Sequence, residues 1–480
     1  MRRGMPPSGR SDEVRPSPAV PPGSNPPRIR PARGPAGLVG TIRDRLGGSK
    51  LGVLSIAAGS GTGQLLLLLA APLLARLYSP ADFGAFAVLA TLAAIVGTVA
   101  AGRFELAIPL PQRDRDALAL VTLGLVTTLV TALLGTVVVA MVREEAAALF
   151  GQPALRSWLW LTPWTAAAMG AVLVLNQFAI RHRRYVAIGR RNLLQSGAML
   201  LTQIGAGVAG LKAGGMALGL GAGYLVGALS LARETRRIRP GEIAARRSTL
   251  WRTAVRHRRF PLLMGPSGLL NVIGLQVPIL LIAYRYGAEV AGWLGLTQRV
   301  LALPAALLGM AVAQVYLAEL SRTARSGDGL RIERLFHRAS RQLAVIAGVG
   351  LVVVTLGAPP VFVWLFGAQW ANSGLYAQAL AVYAATQLVA SPMSQTLVVF
   401  GRQGLQLAWD AGRVLLVTGA VCAVAMSDGS PLLAVWAFGI SAAASYVAGW
   451  LLSLWTVRRH RAQQTLSAIQ VSELAPARAE

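Results

Sequence analysis

The chain opens on a polar, proline-rich stretch and then alternates between long apolar runs and short segments rich in arginine. The apolar runs fall at 51–75, 83–110, 117–142, 155–180, 192–211, 214–232, 261–284, 288–318, 342–366, 374–399, 405–426 and 431–456. About 20 apolar residues at helical rise cross the ~30 Å hydrocarbon layer of a bilayer, and every run is of that order. The pattern predicts an all-α membrane protein of about twelve transmembrane helices.

The longest internal connection parts the spans six and six. It divides the chain into a Pro/Arg-rich tail over 1–48, a first six-helix bundle over 49–232, a basic linker over 233–260, a second bundle over 261–456 and a tail over 457–480. The first tail holds ten prolines and almost no apolar cluster, so it is expected to be disordered and cytoplasmic. It also lacks the apolar core of a cleavable signal peptide. Within the linker, which carries ten arginines, Leu250, Trp251, Ala254 and Val255 fall on one helical face. That pattern predicts an interfacial helix. Ile332, Leu335, Phe336 and Ala339 repeat it before the ninth span. Both segments are expected to lie as basic anchors on anionic membrane lipid, worth about 1 kcal/mol per basic residue near the surface.

A faint internal repeat accompanies the six-and-six division. Tyr78 precedes Gly84 by six residues with Asp82 between, and Tyr286 precedes Gly292 by six with Glu289 between, each after the first span of its half. Such symmetry favours a two-half transporter.

Composition supports the membrane assignment and charge orients it. Of 480 residues, 54% are hydrophobic and 14% charged, whereas a soluble domain carries roughly 25% charged. The net charge of +27 would suggest nucleic acid in a soluble chain. Here the cations crowd the connections between spans, so they report topology and no nucleic-acid partner is expected. With the N-terminus inside, 39 of the 46 Lys and Arg fall in cytoplasmic segments and five outside: Arg76, Arg143, Arg156, Lys212 and Arg285. Both termini are therefore expected in the cytoplasm.

Signatures of soluble catalysis are missing: there is no P-loop, nucleophile elbow or zinc-binding helix. Cys422 is the sole cysteine and the four histidines lie far apart, so neither a metal site nor a cofactor is expected. The Gly59-Ser60-Gly61-Thr62-Gly63 stretch reads as close helix packing or as a bend lining a cavity, and Gly215, Gly219, Gly223 and Gly227 as a packing stripe.

Charges within spans are more informative, because an arginine at mid-bilayer costs roughly 2.5–3.5 kcal/mol. Arg299, about twelve residues into the eighth span, should face a bundle interior or an aqueous cavity. There it either binds an anion or pairs with an acid such as Glu319 or Glu105. Arg103 and Glu105, near the inner end of the second span, are two apart and cannot pair on a helix; they either reach the cavity or snorkel to the interface. Asp410 and Arg413, three apart, are expected to neutralise each other. Gln64, Asn176, Asn271, Gln276, Gln314 and Gln395 are amides within spans, suited to a hydrated path or to interhelical hydrogen bonds.

From about 51 to 456 the chain resembles the polysaccharide transporter branch of the multidrug/oligosaccharidyl-lipid/polysaccharide flippase superfamily, in particular flippases of the lipopolysaccharide and O-antigen type. The resemblance rests on Leu77-Tyr78-Ser79-Pro80-Ala81-Asp82-Phe83-Gly84, on Gly102-Arg103-Phe104-Glu105-Leu106-Ala107 and on Arg259-Phe260-Pro261-Leu262. It rests too on Gln298-Arg299-Val300-Leu301 with Gln314-Val315, and on Phe366-Gly367-Ala368-Gln369-Trp370. It implies two pseudo-symmetric six-helix bundles around a central cavity, in a bacterial cytoplasmic membrane. It further implies an oligosaccharide on a polyprenyl pyrophosphate carrier as substrate, and polysaccharide assembly machinery as a possible partner. Arg299, Arg103, Glu105, Gln298, Gln64, Gln276 and Asn271 are then the candidate cavity residues. A cation-coupled drug antiporter of the same superfamily is the nearest rival, and a membrane glycan polymerase or ligase a more distant one.

Overall fold

A computed structural model describes residues 48–238, 247–304, 310–326 and 328–474, of which those from Gly52 onward belong to one compact unit. The disorder expected of residues 1–47 lies outside the described residues. Among the described residues there is no strand.

The first half consists of α1 (Gly48–Leu69), α2 (Ala71–Leu77), α3 (Pro80–Val99), a 3₁₀ turn (Phe104–Ala107), α4 (Asp114–Leu149), α5 (Pro153–Trp158), α6 (Leu161–Arg181), α7 (Tyr185–Val208) and α8 (Lys212–Ile238). After α9 (Arg247–Arg256) and a π-turn (Phe260–Met264) come α10 (Gly265–Pro304), α11 (Met310–Ser326) and α12 (Gly329–Phe366). A 3₁₀ turn (Ala368–Trp370), α13 (Ala371–Met393), α14 (Gln395–Val399), α15 (Gln403–Met426) and α16 (Pro431–Leu474) complete the chain.

Nine stretches among the described residues are long and apolar enough to cross a membrane. One of them, Gly268–Ala302, is broken by Gly287 at φ +86°, so it supplies both the seventh span and the start of the eighth. The fifth and tenth spans are α7 and α13. Their amides and small residues lower their apolarity, and α13 has Ser373, Gly374, Tyr376, Ala377 and Leu380 enclosed by protein. A helix surrounded by other helices needs less apolar surface than one facing lipid. The complementary signature lies on α4 and α12, where Leu134, Val137, Met141, Val353, Leu356 and Trp364 are exposed. Trp364 is 80% exposed, which water would not tolerate across so wide an apolar band but hydrocarbon does.

In the first bundle α6 packs on α3, α4 and α8, and α7 on α8; in the second α13 packs on α10, α12 and α16, and α15 on α10 and α16. The stripe Gly215, Gly219, Gly223 and Gly227 faces α7, with Tyr78 against Gly215 and Gln203 against Gly219. The Gly59–Gly63 stretch packs α1 onto α7 at Gly189 and Ser196, so it is a helix contact. The bundles meet chiefly along α3 and α10.

Local chemistry fixes where these helices begin. Ser79 and Asp82 form a reciprocal capping box with Pro80 in the first turn, which starts α3. Asp82 also accepts from the Ala213 amide, and Tyr78 donates to the Gln203 carbonyl, so this loop ties α3 to α7 and α8. Across the bundle interface Phe83 meets Trp370 edge-on, and the Trp370 indole and Gln369 amide both donate to the Ala75 carbonyl.

Two expectations about the basic segments part company. A helix forms over Leu250–Val255 as α9, with Trp251 73% exposed. The similar stripe at 332–339 is not a surface anchor: Ile332, Phe336 and Ala339 are buried against α11 and α16. The reason is that α16 runs on as helix to Leu474, giving this stripe a protein partner, and Arg458 and Arg461 pair with Glu333 at its edge.

Candidate functional site

The second bundle encloses a cavity of about 220 Å³, walled by α10, α13, α15 and α16. Its polar lining comprises Gln276 and Gln298 on α10, Tyr383 and Gln387 on α13, Arg413 on α15 and Tyr446 on α16. Helical spacing explains the set. Tyr383 and Gln387 are four apart and share a face, while Gln276 and Gln298 come from the two arms of α10 that Gly287 folds back on each other.

Arg413 is the hub. It is 7% exposed, and it donates from Nη1 to the Tyr446 hydroxyl at 3.2 Å and from Nη2 to Asn271 Oδ1 at 3.0 Å and Asp410 Oδ1 at 3.1 Å. Its guanidinium also stacks on Trp409, 5.0 Å from the ring centroid. Gln387 donates to the same Tyr446 hydroxyl at 3.1 Å. Nε of Arg413 is buried and has no hydrogen-bond partner among the described residues.

A related cluster occupies the first bundle. Arg191 on α7 donates to Gln195 at 2.8 Å and to Asn176 at 3.2 Å, beside Tyr224 of α8. Arg413 and Tyr446 are 33 residues apart, and so are Arg191 and Tyr224. In each half, then, the fifth span carries an arginine and the sixth a tyrosine beside it, at identical spacing. Gly223 and Gly227 bring α8 tight against Gln195 and Arg191 in the first bundle.

Arg103 and Glu105 sit where the inner end of the second span was expected, beyond α3. They do pair, Nη1 to Oε1 at 3.6 Å, although a spacing of two forbids this on a helix. Gly102 and Arg103 have φ of +60° and +56°, so the helix has ended and the turn swings Arg103 back over Glu105. The Arg103 guanidinium lies against Gly268 of α10, where a Cβ would collide with it. Glu105 is 2% exposed with both carboxylate oxygens unsatisfied. Burial pushes its carboxyl above the usual carboxylate range, against the pull of Arg103.

The seven candidates thus fall into separate groups. Gln276 and Gln298 share the cavity with Arg413, which sequence reasoning set aside as self-neutralised, and Asn271 holds that arginine. Gln276 also lies 3.5 Å from Thr91 of α3, across the bundle interface. Gln64 is exposed on α1. Arg299, one residue beyond Gln298 and so about 100° further round the helix, is not among the residues lining this cavity. Its Nη2 is buried and lacks a partner, and no ion pair among the described residues includes it. Glu105 is taken by Arg103 and Glu319 is exposed. The signal that would have found the Arg413 cluster is the recurrent 33-residue Arg–Tyr spacing.

Residues 73–375, more than half of the chain, match the family described as "Polysaccharide biosynthesis protein". The chain belongs to that family. It is 24% identical over 188 residues to the Teichuronic acid biosynthesis protein TuaB of Bacillus subtilis, a match covering 39% of this chain and 38% of that protein. Among solved structures, an inward-facing multidrug resistance MATE family transporter of the MOP superfamily superposes with a TM-score of 0.66 at 15% identity, over 83% of this chain and 95% of that one. The lipid II flippase MurJ, in an inward closed conformation, superposes with a TM-score of 0.66 at 13% identity, over 86% and 90%. The fold is therefore the two-lobed helical fold of that superfamily, as the two-bundle expectation required.

Proposed function

We propose that this chain is a flippase that moves an oligosaccharide, linked to a polyprenyl diphosphate, from the cytoplasmic to the outer leaflet by alternating access. The observation that carries the reading is Arg299: a guanidinium within a span, with a buried donor unsatisfied and no acid paired to it among the described residues. A cation so placed favours an anionic ligand, and a diphosphate offers the charge and the acceptor oxygens that a planar guanidinium matches. Membership of the polysaccharide biosynthesis family supports a glycan as the rest of the cargo. The lipid tail can stay in the bilayer while only the polar head is enclosed.

The antiporter alternative calls for carboxylates free to exchange cations. Asp410 and Glu105 are each held by an arginine, which counts against it. A transporter also accounts for the chain better than an enzyme, given the lack of catalytic motifs. Both termini are placed in the cytoplasm on the charge bias, in a bacterial cytoplasmic membrane. α9, with its exposed Trp251 between arginines, lies on anionic lipid in this reading, and the polysaccharide assembly machinery supplies the substrate.

Reconstitution into vesicles with a lipid-linked oligosaccharide, followed by assay of its accessibility on each leaflet, tests the proposal. Transfer that depends on Arg299 supports it; equal transfer by protein-free vesicles, or none with the protein, rejects it.

A further inference from the structure

The Arg413 cavity has a chemistry distinct from that of Arg299. Arg413 is compensated by Asp410 at 3.1 Å, so the formal charge of the pair is zero. Around it converge three carboxamides, Gln276, Gln298 and Gln387, each able to donate twice and accept, and the phenols of Tyr383 and Tyr446. Gln298 lines the cavity and makes no hydrogen bond to another described residue. Phe438 and Tyr383, with ring centroids 5.6 Å apart, add flat apolar wall. A neutral cavity with many mixed donors and acceptors and aromatic faces is poor for a lone ion and poor for a hydrocarbon. It suits a ring bearing several hydroxyls on its edge and C–H groups on its faces.

We propose that this cavity is a subsite for one uncharged sugar ring of the transported glycan, held by the amides of Gln276, Gln298 and Gln387 and the Tyr446 hydroxyl. The volume of about 220 Å³ accommodates a single ring and excludes a long chain, so the remaining sugars extend out of it. Recognition is divided: Arg299 takes the anionic carrier and the Arg413 cavity reads a sugar. The proposal rests on the flippase reading only for the molecule that brings the sugar in.

The test uses the full chain in lipid nanodiscs and a panel of free hexoses, N-acetylhexosamines and uronates, with binding read by saturation-transfer NMR. A neutral sugar should bind, and Gln298→Leu and Gln387→Leu should each weaken it by about tenfold, as expected for a lost buried hydrogen bond. Unchanged thermal unfolding of the variants shows that they fold; Gln298→Asn, which keeps an amide but shortens it, should be intermediate. The sugar that binds best, attached to a short prenyl diphosphate, should displace the free sugar. Binding that is indifferent to these substitutions, preference for uronates over neutral sugars, or failure of displacement would overturn the subsite. Sugar binding sensitive to the variants without leaflet transfer rejects the flippase reading alone, whereas transfer without sugar binding rejects the subsite alone.

Discussion

Gly84 and Gly292, the two glycines of the internal repeat, each press on the other's helix: a Cβ on Gly84 would collide with the Ala288 carbonyl, and one on Gly292 with the Pro80 carbonyl. The reciprocal contact is a crossing of α3 and α10, where the backbones approach too closely for any side chain. Overpacking of this kind costs about 1–3 kcal/mol. Gly84→Ala and Gly292→Ala should therefore each force the crossing apart and, on the proposed flippase reading, reduce glycan export severalfold. Gly295→Ala should be tolerated, because its Cβ would meet Ala87 at an ordinary 3.6 Å. Disulfide trapping between cysteines placed beside this contact, one on α3 and one on α10, measures the crossing directly. Trapping as efficient in Gly84→Ala as in the parent would show that the contact is not needed for closure.

What the sequence reveals about this fold depends on what covers each surface. Lipid imposes length and apolarity, so the runs that become α4, α12 and α15 are unmistakable. The repeat of Tyr78–Gly84 and Tyr286–Gly292 is legible too, although only the structure shows that its glycines are the crossing. By contrast, the stripe at Ile332, Phe336 and Ala339 has the same periodicity whether lipid or protein lies on it, and its partner is the distant end of α16. Arg103 and Glu105 misled because the spacing argument assumed a helix that Gly102 had already ended. Asp410 and Arg413 do pair as their spacing suggests, yet the pair is one edge of a larger cluster whose other members come from three other helices.

Arg413 should behave as a structural cation. Removing it leaves the half-buried Asp410 without its counter-charge and takes a donor away from Asn271 and from Tyr446, and breaking a buried pair costs roughly 3–5 kcal/mol. Arg413→Ala is expected to lower the amount of folded membrane protein sharply, as read by detergent-resistant fluorescence of a fusion. Asp410→Asn with Arg413→Gln together should recover much of it, since no uncompensated charge is left behind. Full abundance of Arg413→Ala alone would contradict the role as hub.

The Arg103–Glu105 turn makes a pH prediction. Burial raises the Glu105 carboxyl in the folded chain above its unfolded value of about 4.3, so the folded state holds the proton to higher pH. The folded state then binds more protons than the unfolded one across that window, and stability falls as pH rises through it. Arg103 opposes the shift. Arg103→Ala should widen the window, so that the variant is less stable than the parent at pH 8 and recovers towards it at pH 5. Glu105→Gln should abolish the difference between the two pH values at this site. Thermal unfolding in detergent at both pH values checks the sign, and a variant destabilised equally at pH 5 and pH 8 would contradict the linkage.

Arg299 separates transport from architecture most sharply. A lone cation in a span demands an anion or water, and among the described residues no acid pairs with it. If its partner is the carrier diphosphate, the protein folds without it. Arg299→Ala should then abolish surface glycan export while leaving membrane-protein abundance near that of the parent. Arg299→Lys should restore export in part, because lysine keeps the charge but loses the planar two-pronged geometry. The contrast with Arg413→Ala, which fails at the level of abundance, is the internal control: the two arginines differ in whether the protein itself supplies the counter-charge. Quantifying export and abundance in the same cells distinguishes the two modes, and normal export from a well-expressed Arg299→Ala protein would remove Arg299 from the substrate path.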